Sequence, residues 1–504
     1  MCDKGDKGGE SLNYRQAKWE EPLIFEKGNK EGDVAIEEKK SSEHNIPPNL
    51  RRKELNLPEL SEPEIVKHFT RLSQMNYGVD SGLYPLGSCT MKYNPKTLEE
   101  ISSTTGVESM HPEQPEETVQ GNLELLYRLK ELFREITGMD HFTLQPSAGA
   151  QGEFTAMNIV REYHKSKKNE KSEIIVPDSS HGTNPISAKM AGFEIIELPS
   201  NKKGRIDIKA LKSIISERTA GIMLTNPNTL GLFEKNIEEI VGLVHGHGGL
   251  LFYDGANLNS IMGKTRPGDM GFDLLHLNLH KTFAAPHGGG GPGSGPVGVK
   301  NELEEFLPKP RIKYDRKNDF YKLDKEREKR NSKVHPYIGN FKVLLKAYAY
   351  IRLMGPRGLK KASEIAVLNA NYLQRKARNI EGINSKYGLD VPCKHETVLS
   401  CKELKSRTGV SAMDVGKRLL DFGFHSPTLY FPDIVKEAMM IEPTETASKS
   451  EIDEYLTALE KIADESFSDP SKVKNAPHNT SIGRLDYTNA ARNPVLSWRM
   501  FKEK

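Results

Sequence analysis

Between residues 173 and 300 the chain alternates short apolar runs with helix-compatible stretches, and this alternation narrows the possible folds more than any other feature. The runs are Glu173–Pro177 (EIIVP), Phe193–Pro199 (FEIIELP), Gly221–Pro227 (GIMLTNP), Gly249–Asn257 (GLLFYDGAN), Leu274–Lys281 (LLHLNLHK) and Pro296–Lys300 (PVGVK). Between them, Ser187–Gly192, Ile208–Ser216 and Asn236–His247 have helical patterning. Apolar runs of strand length separated by helices imply crossover connections, hence an α/β domain with a mainly parallel sheet. Ligands of such sheets bind beyond the carboxyl ends of the strands.

The chain has 504 residues, too many for one core, so a second domain is expected. Residues 1–60 are polar and rich in Lys, Glu and Gly; they read as an extended arm, draped over a partner or partly disordered. Ser61 with Glu64 makes a capping box for a helix, Gly82–Pro95 is a Gly- and Pro-rich loop, and Thr118–Gly138 is an amphipathic helix ended by Gly138. The division expected is a large ligand-binding domain over 61–320 and a smaller C-terminal α/β domain with a tail over 321–504. The segment Lys309–Lys333 carries 11 basic and 5 acidic residues and reads as a solvated connector or, more sharply, as a docking surface for an acidic partner. Phe341–Gly355 and Leu359–Ala377 are then helices.

Composition removes several function classes. With 72 Lys+Arg against 69 Asp+Glu, the chain lacks the basic excess of a dedicated nucleic-acid binder. No apolar run approaches the roughly 20 residues that span a bilayer, and the charged N-terminus has no apolar signal core. Four cysteines without a CxxC point to a reducing compartment, so a cytoplasmic location without membrane contact is expected.

Unusual polar residues sit at the strand ends. Asp254 follows four large apolar residues, where a carboxylate is costly unless it meets positive charge or strong donors. Lys281 closes another apolar alternation, His181 follows IIVPDSS, and Asn226 follows GIMLT. Any one alone could be a cap or a snorkelling side chain; together they suit pyridoxal phosphate. A desolvated lysine condenses with the cofactor's aldehyde. An aspartate keeps the pyridine nitrogen protonated, which makes the ring an electron sink. His181 can stack on one ring face, Ala256 can lie against the other, and Asn226 can hydrogen-bond the phenolic oxygen. Ser147, Ala148 and Gly149 open a helix whose first N–H groups suit a phosphate. Gly288 to Gly291 would let the chain turn close to the cofactor or a facing subunit.

With these residues in view, the sequence resembles the P-protein family of the glycine cleavage system. The stretches that carry the resemblance are YPLGSCTMKYNP, QPSAGAQGE, HGTNP, TNPNTLGLFE, YDGANLN, DLLHLNLHKTFAAPHGGGGPGSGPVGV, GFHSPTLYFP, MIEPTETASKSEID and GRLDYTNAARNP, spread over roughly residues 60 to 495. The resemblance implies a fold-type I pyridoxal-phosphate transferase with a seven-stranded sheet and Lys281 as the cofactor lysine. It implies glycine as substrate, loss of CO2, and transfer of the aminomethyl group to the lipoyl arm of the H protein. The chain length matches subunit 2 of the two-chain form, implying a related subunit 1 and a heterotetramer with two copies of each. His280 and Lys281 are the candidates for the proton transfers, and the sequence does not separate them.

The closest rivals are other enzymes of the same fold: an amino-acid decarboxylase, an aminotransferase or a cysteine desulfurase. A non-catalytic scaffold subunit is the rival from a different class, and retention of Lys281 and Asp254 speaks against it. A nucleotide site lacks both a Walker motif and GxGxxG. Because a lipoyl arm brings its own dithiol, Cys89, Cys393 and Cys401 are read as buried thiols. His245 and His247 read as a helix end rather than metal ligands, so no metal is expected.

Overall fold

The computed structural model of the chain describes residues 16–27, 47–52, 57–111, 113–169, 171–288, 293–325, 333–388 and 391–503. The expectation for the glycine run therefore lies outside the described residues except at Gly288, which has a positive φ of 77°. Seven strands form the large sheet: β1 (His141–Thr143), β2 (Glu173–Pro177), β3 (Glu194–Leu198), β4 (Thr219–Thr225), β5 (Leu250–Gly255), β6 (Leu274–Leu277) and β7 (Val297–Val299), in the order β1-β7-β6-β5-β4-β2-β3. From β3 to β6 all neighbours run parallel, while β7 is antiparallel to both β6 and β1. The mainly parallel sheet read from the sequence is present, and each of the six apolar runs overlaps one of its strands.

Period-two alternation explains why these runs are apolar throughout. Leu251 and Tyr253 of β5 pack with the helix Gln120–Thr137 and the first half of the long helix Phe341–Ala377. Leu250 and Phe252 face the opposite layer, built on the helix Gly149–Ser166. Both faces of the strand are covered, so no polar alternation remains. Gly138 ends the helix Gln120–Thr137 in the left-handed conformation, as expected. The long helix breaks at Gly355 (φ 60°, ψ 178°) before Pro356, giving the two helices read from the sequence.

The basic segment is not a free connector where it is described. It forms a hairpin of β8 (Arg311–Asp315) and β9 (Phe320–Asp324) lying on the helix Gln120–Thr137. Tyr314 and Tyr321 flank Tyr127, and Lys130 donates to the Ile312 carbonyl at 2.8 Å. Its charges are used internally: Lys313 and Lys309 reach Asp324, Lys322 reaches Asp315 and Arg311 reaches Glu304.

A second core gathers Leu373, Leu399, Val415, Met439 and Leu459 around an antiparallel sheet of β10 (Thr397–Ser400), β12 (Ala438–Ile441) and β11 (Thr428–Leu429), in that order. Residues 16–27 of the arm lie along the chain's own helix Glu62–Met75: Trp19 donates to Gln74 at 2.9 Å, and Glu21 pairs with His68 and Arg71. Among the described residues, no helix is long and apolar enough to cross a membrane.

Candidate active site

The carboxyl ends of β2, β4, β5 and β6 share one edge of the sheet, and the polar residues expected there converge. Asp254 continues the Leu250–Phe252 face of β5 and is 2 % exposed. Its Oδ1 accepts the Ala256 N–H at 3.0 Å; Oδ2 accepts from Asn184 Nδ2 at 3.1 Å and Thr225 Oγ1 at 3.2 Å. Burial opposes the charge, but His276, with Nε2 at 3.6 Å, the Lys281 ammonium and these donors outweigh it. The carboxyl is held below its usual range.

Lys281 is not on the strand. β6 ends at Leu277, and Lys281 lies four residues on, in the single helical turn Leu279–Thr282. Asn278 stands just before that turn, and its Oδ1 shares a hydrogen bond with His276 Nε2 at 2.9 Å. From outside, buried Lys92 donates to the Thr282 carbonyl at 2.9 Å and Asn94 to the Ala284 carbonyl at 2.8 Å. Four buried carboxyls, Glu153, Asp254, Glu396 and Glu442, all feel the Lys281 ammonium. The lysine is the positive centre of a site enclosed from both domains.

Ala148 precedes the helix Gly149–Ser166 in an extended conformation, and the first intrahelical bond runs from Gly152 N–H to Ala148 O at 2.9 Å. The N–H groups before it have no helical acceptor. Ser147 donates through both N–H and Oγ to Gln151 Oε1. A Cβ on Gly149 would run into Nδ2 of Asn278, and one on Gly152 would lie 2.9 Å from His276 Cβ. Glycine is needed because the helix end presses on the strand that leads to Lys281.

His181 is exposed at the mouth, with its ring edge-on to Phe431 at 6.0 Å. Its Nδ1 shares a hydrogen bond with Thr183 Oγ1 at 2.8 Å, and that hydroxyl donates to Glu153 Oε1 at 2.8 Å. Burial, then the Asp254 charge, pushes Glu153 up to about 7. Ala256 is buried beside Asp254. His280 packs against His287 at 4.7 Å, and burial followed by the Lys281 charge pushes it down to about 3. Asn226 is buried after β4: its Oδ1 accepts the Glu234 N–H at 2.9 Å and its Nδ2 lies 3.9 Å from Met270 Sδ. The amide serves the loop after β4, and the neighbouring Thr225 is the residue that reaches Asp254.

The small domain closes the site with residues the sequence reading missed. Glu396 accepts the Ser88 N–H at 2.9 Å and Glu442 the Thr90 N–H at 2.9 Å; each also faces an amide of the large domain, Asn257 and Asn259 respectively. These bonds hold Ser88 (φ 64°) and Thr90 (φ 51°) in the left-handed region. Both carboxyls are fully buried. Burial and then Glu442 raise Glu396 well above its usual range, and burial takes Glu442 to about 7. His395 lies 3.8 and 3.9 Å from them with neither ring nitrogen hydrogen-bonded, and burial pushes it down to about 3. The signal was available: Glu442 ends the run MMIE, as Asp254 ends LLFYD. Cys89 sits between the two clamped residues, and burial raises its thiol above the usual range.

Comparisons with known proteins give the chain's family and fold. A family model for aminotransferase class-V matches residues 150–416, and one for the glycine dehydrogenase C-terminal domain matches residues 362–480. A protein of Thermococcus gammatolerans named probable glycine dehydrogenase (decarboxylating) subunit 2 is 58 % identical over 97 % of this chain and 98 % of its own length. A Caldanaerobacter subterraneus protein of the same name is 56 % identical over 94 % of this chain and 98 % of its own length. Among solved structures, an inhibitor-bound glycine decarboxylase (P-protein) of the glycine cleavage system aligns with a TM-score of 0.69 at 17 % identity, over 83 % of this chain and 93 % of that one. A NifS-like protein aligns at 0.58 with 15 % identity, over 76 % of this chain and 99 % of that one. The structural likenesses establish the fold, that of the fold-type I pyridoxal-phosphate enzymes, and with the full-length identities the chain belongs to the family of glycine dehydrogenase (decarboxylating) subunit 2 proteins.

Proposed function

We propose that this chain is the cofactor-bearing subunit of a pyridoxal-phosphate-dependent glycine decarboxylase. It releases the carboxylate of glycine as CO2 and passes the aminomethyl group to the oxidised lipoyl arm of an H protein. It works in the cytoplasm with a related sister subunit, two copies of each. The observation that carries this reading is the convergence of ionised Asp254, Lys281 and the glycine-opened helix end at one sheet edge, in a chain 58 % identical to a named relative.

The residues fit the cofactor. Buried polar atoms without partners line the region, among them Asn184 Oδ1, His276 Nδ1 and Thr282 Oγ1, as suits a surface shaped for a polar guest. When bound, pyridoxal phosphate supplies an aldehyde that takes up the substrate amine and a ring that accepts the electron pair left by CO2. Lys281 would hold the aldehyde between turnovers, Asp254 would keep the ring nitrogen protonated, and Ala256 and His181 would flank the ring. Ser147, Ala148 and Gly149 would present the helix N–H groups to the phosphate. Of the two candidates for proton transfer, His280 is pushed down to about 3 and is a weak base, which disfavours it in that role. A desulfurase needs an activated thiol, and the raised Cys89 argues against that reading. The test is exchange of labelled bicarbonate into glycine by the assembled enzyme with H protein, together with borohydride fixation of the cofactor to Lys281. Absence of exchange with cofactor in place would refute the assignment.

A further inference from the structure

The basic residues that the sequence made conspicuous, those of the β8–β9 hairpin, are mostly paired. A group of five cations without ion pairs among the described residues gathers elsewhere. A cleft of about 460 Å³ opens between the loop after β3, the loop after β4 and the small domain; it is lined by Lys202, Lys203, Arg205, Lys235 and Lys386 beside Tyr387. All four lysines are exposed, none of the five cations makes an ion pair among the described residues, and no acid lines the cleft there. Lys386 lies over the Tyr387 ring at 4.7 Å and donates to the Ile434 carbonyl at 3.0 Å, and Arg205 Nε donates to the Phe233 carbonyl at 2.9 Å, so two of the charges are anchored.

The cleft stands beside the mouth of the site. It lies on the strand edge that carries Asp254. Tyr387 and Val391 of the cleft share an apolar cluster with Phe431, whose ring meets His181. Phe431 and Ile434 are three residues apart, so at most about 11 Å of chain separates the mouth from the anchor of Lys386. Five unpaired cations around a depression focus a positive field that selects and steers an acidic surface.

We propose that this cleft is the docking surface for an acidic face of the protein that carries the lipoyl arm, setting the arm beside His181 and Phe431. This rests on the glycine decarboxylase reading. The test uses the holoenzyme assembled with its sister subunit and a lipoylated H protein. In the triple variant Lys202→Glu, Lys203→Glu, Lys235→Glu, the KM for H protein rises about tenfold or more, while KM for glycine and turnover with free lipoate stay near wild type. The wild-type KM for H protein rises with salt, and the triple Lys→Arg variant behaves as wild type. A KM for H protein within about threefold of wild type, or one insensitive to salt, overturns the docking site while exchange persists. Wild-type holoenzyme without any exchange overturns the underlying reading instead.

Discussion

Replacing Asp254 by asparagine separates the chemical role of this carboxylate from its structural one. Asparagine keeps the shape, and its Oδ1 can still accept the Ala256 N–H now at 3.0 Å. The new amide NH2 would face Asn184 Nδ2 and Thr225 Oγ1, both donors to Asp254 at present. Asn184 can answer by turning its side-chain amide, because its Oδ1 has no partner, and the Thr225 hydroxyl can rotate to accept. No hydrogen bond need be lost. The burial cost of a charge disappears together with its attraction to His276 and Lys281. Opposed terms of this kind leave folding stability within about 1 kcal/mol of wild type. On the proposed reading, catalysis would lose the negative charge that Asp254 offers the ring nitrogen. Removing a single preorganised electrostatic partner typically costs about 10²–10³ in rate, or about 3–4 kcal/mol of barrier. Glycine–bicarbonate exchange is therefore expected to fall at least ~100-fold, with a urea midpoint near wild type. Exchange within about threefold of wild type, or a stability loss near 3 kcal/mol, would show that Asp254 serves the fold rather than the chemistry.

Lys281→Ala should fold normally, as judged by circular dichroism, yet retain no cofactor after borohydride treatment; label recovered at another lysine would move the site. Gly149→Ala forces Asn278 aside and breaks its bond to His276, so apo stability should drop by about 2–4 kcal/mol and cofactor affinity should weaken; a denaturation curve matching wild type contradicts the close approach described. Glu442 has a folded pKa raised from 4.5 to about 7, so the folded state binds more protons than the unfolded across that window. Its contribution is present below pH ~4.5 and lost as pH rises through ~7, a slope of at most about −1.4 kcal/mol per pH unit. Glu442→Gln keeps an acceptor for the Thr90 N–H and should flatten the stability profile between those values; an unchanged slope in urea titrations rules the group out as its source.

Much of the large domain was legible because its inner strands, β2, β4, β5 and β6, are buried on both faces, which writes them as mostly apolar runs. Asp254 stood out because a charge after LLFY violates that pattern. Lys281 was singled out by residue type but placed on the strand, whereas β6 ends at Leu277 and Asn278 starts a turn that the alternation HLNLH conceals. β1 escaped notice because its three residues, His141–Thr143, pair only with distant β7. The hairpin hid behind its lysines, whose partners are set by folding: Asp324 meets Lys309 and Lys313 only once the strands pair. Asn226 shows what a strand-end rule cannot read: its Oδ1 is taken by the backbone of its own loop, a contact made only on folding. Glu396 and His395 precede a strand rather than end one, so the strand-end rule passes over them.

The segment from Gly82 to Pro95 is tied at one end to the small domain, through Glu396 and Glu442, and at the other to the turn carrying Lys281, through Lys92 and Asn94. A strap fastened to both halves resists any jaw-like swing of one against the other. On the proposed reading, guests are then expected to enter the candidate site past His181 and Phe431, without a hinge having to open. A host braced in this way would suit the tethered guest proposed above, with the guest supplying most of the motion.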